Sequence, residues 1–346
     1  MKFEDFIELH RGYDLPKKQR KNGQVPVIAS TGINGTHNVA KIKGPGVVTG
    51  RSGSIGKVQY IKDDFWPLNT TLYVSDFKGN NPKFVAYWLE RFDLKRFSSG
   101  SAVPTLNRNE LANVEICVPN REEQDKIVAI LEPFEKKIEL NQEINDNLFK
   151  LAKIHFDRQL DSENIKFSQI STIQNGYAFK SKEYVDTNEL MILRTKNIND
   201  NHLFSKNDVV YISKELFDKY KKFSFSAFDT VLVMVGASIG KTGFVTSNMT
   251  PSLQNQNMWR FRPKMSNIPG LLIFQYVNYI NKHIIGSATG SARSFYRKKL
   301  FSEFEVPRIN STNYIYFDTL QREIDHLNTE NEILYRIKHS LLNHYF

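Results

Sequence analysis

The chain has 346 residues, enough for two domains of ordinary size, and carries a net charge of +10. Its 40% hydrophobic and 12% aromatic residues exclude a disordered chain. The single cysteine, Cys117, excludes an intramolecular disulfide framework and a multi-cysteine zinc site. Residues 1–6 are too acidic for a signal peptide, and the longest apolar run, 271–280, is about half a membrane span. The sequence therefore predicts a soluble protein of the reducing cytoplasm.

Short strands separated by polar turns are predicted in two parts of the chain. Residues 46–50 and 71–74 have strand composition among glycine, proline and asparagine, and residues 230–235 have a stronger strand pattern. These segments predict mixed α/β domains, each built around a compact, irregular sheet.

A long helix is predicted after each of these parts. Asn120 with Glu123 resembles a capping box, and Pro133 is expected to break or restart the helix, since proline suits a first turn. From Pro133 an apolar stripe continues to about Leu160, which is about 28 residues or about 42 Å. The second helix is predicted to be shorter, because only 25 residues follow Gln321. Two one-striped helices in one chain most simply bury each other.

Three asparagines lie on or beside these stripes, namely Asn141, Asn145 and Asn331. Buried asparagines would fix the register of the helix pair at a cost in stability. Alternatively, they flank the seam in solvent. The sequence leaves both interpretations open.

The chain repeats itself in tandem. Four short matches keep their order, and their offset grows from 164 to 197 residues, which indicates insertions in the second copy, chiefly before its Ser-Ile-Gly-Lys. The matches are Gly12-Tyr13 with Gly176-Tyr177, 54–57 with 238–241, 100–102 with 290–292, and Gln124 and Ile127 with Gln321 and Ile324.

Charge follows the repeat. Residues 1–110 and 161–308 carry +7 and +8, whereas residues 111–160 and 309–346 carry −3 and −2. We therefore predict two basic domains at 1–115 and 161–308, and two helical regions at 116–160 and 309–346. The two-fold repetition predicts pseudo-two-fold symmetry, which suits two copies of one partner.

Residues 231–242 resemble a phosphate-binding loop but lack its spacing. Gly236 and Gly240 are separated by three residues instead of four, and the first copy has Val58 where a magnesium-binding hydroxyl would stand. A duplicated structural turn is favoured over a nucleotide site. The functional alternative is a turn that presents Lys57 or Lys241, with nearby Arg51, to DNA. We find no recognisable motif for methyl transfer, for a nuclease or for a metal site, so the sequence predicts no catalytic residue and no bound metal.

Basic and amide side chains in the loops are the candidates for contact with DNA. Gln254 and Asn255 have amides that suit adenine, or they hold loop backbone within a strand; both interpretations stay open. The candidates are Arg11, Lys17, Lys18, Arg20, Lys21, Arg51, Ser52, Lys57, Arg108, Lys180, Lys182, Lys241, Gln254, Asn255, Arg293, Arg297 and Lys298.

Five segments together resemble the specificity subunits of type I DNA restriction–modification systems, and the resemblance covers nearly the whole chain. The segments are Gly-Tyr-Asp-Leu-Pro at 12–16, Gly-Arg-Ser-Gly-Ser-Ile-Gly at 50–56, Phe-Trp-Pro-Leu-Asn-Thr-Thr-Leu-Tyr at 65–73, Gln-Asn-Gly-Tyr-Ala-Phe at 174–179 and Gly-Ala-Ser-Ile-Gly at 236–240.

The resemblance implies an α+β protein with two tandem target-recognition domains and two long helices that pair as an antiparallel coiled coil. Each domain is then expected to read one half of a split, asymmetric DNA site. The helices would set the unread spacer and dock two methyltransferase subunits, and restriction–translocase subunits would join that core. This chain is expected to bind no cofactor itself, since S-adenosylmethionine, ATP and magnesium belong to the partner subunits.

Other interpretations remain at this point. One alternative, also a DNA-recognition subunit, is that the chain serves a methylation-only or type IIB-like assembly. A self-contained nuclease or methyltransferase would need a motif that the sequence does not show. A pure scaffold would not account for two basic domains.

Overall fold

The structure, a computed structural model, describes residues 1–99, 104–160, 163–186, 190–286 and 296–346. The chain divides into two compact units, of which the first comprises Met1–Lys136 with Arg336–Phe346 and the second comprises Lys137–Tyr335. Each unit therefore contains one globular part together with stretches of both long helices.

The first unit is built on short strands and three short helices. Its helices are α1 Phe3–Phe6, α2 Pro82–Arg91 and α3 Arg108–Ala112. Its strands are β1 Glu8–Arg11, β2 Val25–Ala29, β3 Gly32–His37, β4 Gly46–Gly50, β5 Val58–Ile61, β6 Trp66–Pro67, β7 Thr71–Asp76, β8 Ser98–Ser99 and β9 Thr105–Leu106.

The second unit repeats this plan between two long helices that both units share, α4 Arg121–Asp157 and α8 Tyr314–Tyr345. Its own helices are α5 Lys214–Lys219, α6 Gly270–Gly286 and α7 Lys298–Glu303. Its strands are β10 Asn164–Lys166, β11 Ser171–Asn175, β12 Tyr184–Val185, β13 Met191–Leu193, β14 Val210–Ile212, β15 Thr230–Val233, β16 Thr242–Phe244, β17 Ser252–Gln254, β18 Met258–Pro263 and β19 Glu305–Pro307.

The same strand order occurs in both units. An antiparallel sheet β1-β7-β4-β5 in the first corresponds to β11-β18-β15-β16 in the second. The other sheet has a parallel pair in each unit, β2 with β6 and β13 with β17. Among the described residues of the first unit, strand β12 and residues 194–209 have no counterpart, which agrees with the predicted insertion in the second copy. The predicted tandem duplication is confirmed.

Each antiparallel sheet is covered by one helix. Helix α2 packs on β4 and β5 through its buried face, which includes Phe84, Tyr87 and Trp88. Helix α6 packs on β15 and β18 in the same way. Burial of each such large side chain contributes about 1.5–3 kcal/mol, so these two layers are the main cores of the units.

Two of the three predicted strands have their predicted starts and lengths to within two residues, at β4 and β7. The prediction of a strand at 230–235 is too long, because β15 ends at Val233. The amide of Met234 donates to the carbonyl of Asn257 instead, and Gly236 has a φ of +97°. The chain thus leaves the strand early to enter the glycine turn.

Helix α4 corrects the predicted break at Pro133. It begins after Asn120, whose side chain accepts the Glu123 amide at 3.0 Å as predicted, but it runs through Pro133 for 37 residues, or about 55 Å. The buried Leu131 before the proline and the ion-paired Glu135 after it hold the helix on both sides. Tertiary contacts therefore outweigh the lost backbone hydrogen bond.

The long helices pair antiparallel within each unit. In the second unit, Asn141 donates to Asn331 at 2.9 Å and His155 stacks on Tyr316. Asn141, Asn145 and Asn331 are buried, so of the two open interpretations the structure has the one with asparagines inside the helix pair. In the first unit, the Lys338 ammonium group forms an ion pair with the Glu135 carboxylate.

Among the helices of the described residues, none is long and apolar enough to cross a membrane.

Candidate nucleic-acid interface

In the first unit, the glycine turn at residues 50–57 is fastened to two neighbouring turns. The amides of Arg51 and Ser52 donate to the carbonyl of Thr70 at 2.9 and 3.2 Å, and the Arg51 guanidinium reaches the carbonyl of Asn69 at 3.3 Å. The Lys57 ammonium donates to the carbonyl of Thr31. Arg51, Ser52 and Lys57 thus lie where three loops converge.

The Gly-Tyr pair belongs to the same convergence. A Cβ atom at position 12 would lie 2.1 Å from the carbonyl oxygen of Leu68, so the contact requires Gly12. Next to it, the hydroxyl groups of Tyr13 and Tyr73 lie 2.9 Å apart. Burial and this hydrogen bond raise the pKa of Tyr73, so its hydroxyl remains protonated at neutral pH.

The second unit repeats this contact with different side chains. A Cβ atom at position 176 would lie 1.9 Å from the carbonyl oxygen of Asn255, and the hydroxyl groups of Tyr177 and Tyr220 lie 3.1 Å apart. The backbone contact is therefore common to both units, whereas the second tyrosine of the hydroxyl pair comes from β7 in one unit and from the end of α5 in the other.

The basic loop of the first unit is held on the β2–β3 hairpin. The Arg20 guanidinium donates to Asn34, and the amide of Lys21 donates to His37 at 3.0 Å. The side chains of Arg11, Lys17, Lys18 and Lys21 are exposed. The backbone of this loop is fixed while its charges face solvent, as a contact with phosphate groups requires.

The structure gives three other candidates definite protein partners. Arg108 donates to the carbonyl of Leu9 at 2.8 Å, and Lys241 pairs with Asp200 at 2.8 Å. Gln254 is fully buried, and its amide nitrogen donates to the carbonyl of Met258 at 2.8 Å. Of the two interpretations of Gln254, these contacts match the one in which it holds loop backbone.

The remaining candidates of the second unit lie in separate segments of the chain, and Lys298 is the first residue of α7. Lys180, Lys182 and Arg297 are exposed, and Asn255 and Lys298 are half-buried. Arg293 and the repeat match at 100–102 and 290–292 lie outside the described residues.

The loop at 220–224 in the second unit is positioned by a buried ionic network. Asp229 is buried and accepts two hydrogen bonds from Arg262, at 2.7 and 2.6 Å. Arg260, also buried, donates to the carbonyl of Ser224 and to the side chain of Gln174. The burial of Arg260 lowers the pKa of its guanidinium and Asp229 raises it, but the group stays charged at neutral pH.

Sequence reasoning missed cations that lie over aromatic rings. The Lys41 ammonium lies 5.3 Å from the ring centre of Tyr13 and 5.5 Å from that of Trp66. Arg96 lies 4.6 Å from the ring centre of Phe97, and Lys222 lies 5.0 Å from that of Phe223. An aromatic neighbour in the sequence signals the last two, but the partners of Lys41 are distant along the chain.

Residues 231–242 resemble a phosphate-binding loop in sequence, but the hydroxyl group of Thr242 is not placed to bind a metal ion. Thr242 is buried in β16, and its hydroxyl donates to Asn278 at 2.9 Å. Among the residues that the structure describes, no three histidine, cysteine, aspartate or glutamate side chains are grouped as metal ligands.

A family model described as "Type I restriction modification DNA specificity domain" matches residues 1–149 and 159–336. The type I restriction enzyme MjaVIII specificity subunit of Methanocaldococcus jannaschii is 23% identical over 249 residues, covering 65% of this chain and 58% of that protein. The EcoprrI specificity subunit of Escherichia coli is 27% identical over 124 residues, covering 36% of this chain and 31% of that protein. Both matches span less than two thirds of the relative.

A solved structure has the same fold. The type I restriction–modification S subunit from M. genitalium superposes with a TM-score of 0.57 at 16% identity, covering 100% of this chain and 95% of that one. At this level of identity the likeness concerns the fold alone.

Proposed function

Because the chain belongs to the family of type I restriction–modification DNA specificity domains, we propose that it is the DNA-recognition subunit of such a complex. Each repeat reads one half of a split, asymmetric site in double-stranded DNA. The observation that carries the proposal is that one fold occurs twice, with the same strand order and the same Gly-Tyr contact, while the loops attached to it differ. A shared scaffold with unlike loops suits two unlike half-sites.

The charges support DNA as the target. Exposed basic residues of the first unit include Lys17, Lys18 and Lys21 in a fixed loop, and residues 1–110 and 161–308 carry +7 and +8. Contacts between such residues and phosphate groups position a protein on the duplex, while side chains that reach base edges give specificity. We assign the exposed residues among the candidates to the first role and leave out Gln254, whose amide is engaged inside the protein.

The long helices have exposed apolar side chains that suit a protein partner. Leu140, Leu151 and Ile154 on α4 and Ile333 and Ile337 on α8 are 41–53% exposed. We assign these helices to the docking of two methyltransferase subunits and to the spacing of the half-sites. Restriction–translocase subunits join this core. The partner subunits, and not this chain, bind S-adenosylmethionine, ATP and magnesium. The chain itself performs no chemical step, and the complex works on DNA in the cytoplasm.

The proposal is tested by mapping methylated adenines in cells. The chain is expressed with its methyltransferase subunit, and DNA is sequenced for modified bases. We expect one split, asymmetric motif to be methylated when both proteins are present and no methylation with either alone. Methylation by this chain alone, or a motif that does not depend on it, would contradict the proposed function.

A further inference from the structure

The glycine turn of the first unit borders a surface hollow of about 540 Å³. The turn forms one side, and the segment that follows α2 forms the other. The residues that matter to the argument are Ser54, Ile55, Lys57, Lys95 and Ser98. Lys95 and Ser98 were not candidates from the sequence.

The hollow is lined by hydrogen-bond donors and positive charge. Lys57 and Lys95 reach it from two different elements, and both are exposed. Within the part of the chain that the structure describes, the amides of Ser54 and Ile55 make no hydrogen bond, and no acidic side chain lines the hollow. Turn amides without a protein partner, beside lysines on one concave surface, are typical of an anion site, although the Lys57 ammonium also donates to the carbonyl of Thr31.

The donors are held in place before any ligand arrives. Gly53 and Gly56 have φ values of +80° and +77°, a conformation that side-chain-bearing residues rarely adopt. A Cβ atom on Gly50 would lie 1.9 Å from the carbonyl oxygen of Ser54, so the turn is tightly closed. The Ser98 hydroxyl donates to the carbonyl of Lys95 at 2.7 Å, which fixes the opposite side.

The equivalent turn of the second unit is filled instead of hollow. A Cβ atom on Gly240 would lie 3.1 Å from both Ile285 and the hydroxyl of Tyr296. Asn281 donates to the carbonyl of Gly240 at 3.0 Å and receives the Tyr296 hydroxyl at 2.7 Å. Lys241, the counterpart of Lys57, is paired with Asp200. Among the described residues, the contacts at the second turn thus differ from those at the first, and we place the anion site in the first repeat.

We propose that the hollow between the glycine turn and Lys95 binds one backbone phosphate of the half-site that the first repeat reads. The proposal rests on the proposed DNA-reading function. It implies that the two repeats contribute unequally to the electrostatic part of the DNA affinity. A phosphate contact adds affinity without base specificity.

The test uses the complete methyltransferase complex and its own DNA site. We expect Lys95→Ala to weaken binding roughly tenfold and to reduce the slope of log affinity against log salt by about one, without a change in the methylated sequence. Lys78→Ala is the control, because this exposed lysine pairs with Asp76 and lies outside both the hollow and the long helices. The melting temperature of each variant shows that folding is intact.

Neutral methylphosphonates, introduced one at a time along both half-sites, identify the phosphate. At one position of the first half-site, a methylphosphonate should weaken DNA binding by the wild-type complex. At that position, Lys95→Ala should cause no further loss of affinity. A Lys95→Ala complex that binds as tightly as wild type, or a coupled position in the second half-site, would overturn the proposal. The proposal would also be overturned if the weaker binding of the Lys95→Ala complex disappeared when inorganic phosphate replaced chloride in the buffer, and no methylphosphonate position cancelled the effect of Lys95→Ala. A wild-type complex with no specific binding would instead refute the proposed function.

Discussion

At the scale of single residues, Gly12 and Gly176 occupy equivalent positions against a neighbouring backbone. In the sequence they belong to one of the matches that indicate the tandem duplication, and the structure gives their role. A methyl carbon added at either position would lie 2.1 or 1.9 Å from a carbonyl oxygen, which identifies the close approach. The Gly-Tyr pair thus holds the loops that carry the candidate contacts.

We expect Gly12→Ala to destabilise the first unit by about 2–4 kcal/mol, because the methyl group would collide with backbone that cannot give way easily. Unfolding in denaturant measures the change. Gly79→Ala is the control, since Gly79 has a φ of +80° but no atom within 4 Å of its added Cβ, so it reports backbone strain alone. An equal cost for the two variants would argue against the collision.

The side-chain roles were less predictable than the scaffold. Gln254 has a residue type that suits adenine, but its fate depends on the pairing of β17 with β13, which buries it. Lys41 lies over Tyr13 and Trp66, which are distant in sequence. In both cases the deciding contacts are long-range, so no local pattern could reveal them.

At the scale of elements, Glu135 connects α4 to α2 and α8 in the first unit. It receives the ammonium groups of Lys83 and Lys338, and all three side chains are at most 20% exposed. Burial alone would raise the pKa of Glu135, but the hydrogen bonds and charges of the two lysines outweigh it and lower the pKa. The ionised form is therefore stabilised by folding.

We expect Glu135→Gln to reduce the free energy of unfolding at pH 7 by about 3 kcal/mol, because two half-buried lysines lose their counter-charge. Since the pKa is lowered on folding, the stabilisation is present above the unfolded value of about 4.3 and is lost as pH falls through the folded value. Denaturant unfolding of both proteins from pH 7 to pH 3 should show their difference shrinking only below that point. A difference that is constant with pH would contradict the role of the charge.

The helix pair of the second unit contains a buried polar contact between Asn141 and Asn331. We expect Asn141→Leu or Asn331→Leu alone to cost about 1–3 kcal/mol, because each removes one partner of this buried hydrogen bond. The double variant should cost less than the sum of the two, as a thermal unfolding cycle would show. Additive costs would mean that the two asparagines do not interact.

The helices were predicted well in place and less well in extent. The apolar stripes and the Asn120 cap were sufficient to locate α4, and the stripe after Gln321 located α8. Pro133 misled the prediction, because its local cost is offset by contacts with α2 and α8 that only the folded chain makes.

At the scale of the whole molecule, the repeat is the feature that sequence revealed most completely. The Gln124–Gln321 match has a physical basis, since Gln124 accepts the amide of Asn81 at the start of α2 and Gln321 accepts the amide of Leu271 at the start of α6. Each long helix thereby caps the helix that covers its sheet, at about 1 kcal/mol per cap. The identity of the target bases depends on loop side chains that differ between the copies, so the repeat does not predict it.

We expect an exchange of residues 161–308 for those of a relative to change one half of the methylated site and leave the other half unchanged. Methylome sequencing of cells that carry the hybrid measures this. The reciprocal exchange of residues 1–115 is the control and should change the opposite half. A change in both halves from one exchange would refute the idea of two separate readers.

The last turns of α8 complete the core of the first unit, where Leu342 is buried and Phe346 packs on Phe84 at 5.3 Å between ring centres. During synthesis on the ribosome, residues 1–136 emerge long before these partners exist. All of residues 137–335 are available earlier than Leu342, so the second-made unit is the first that can close its core. Until residues 336–346 are made, Ile127, Leu131 and Phe84 in the first-made unit remain incompletely covered, and such exposed apolar surface favours aggregation of the incomplete chain.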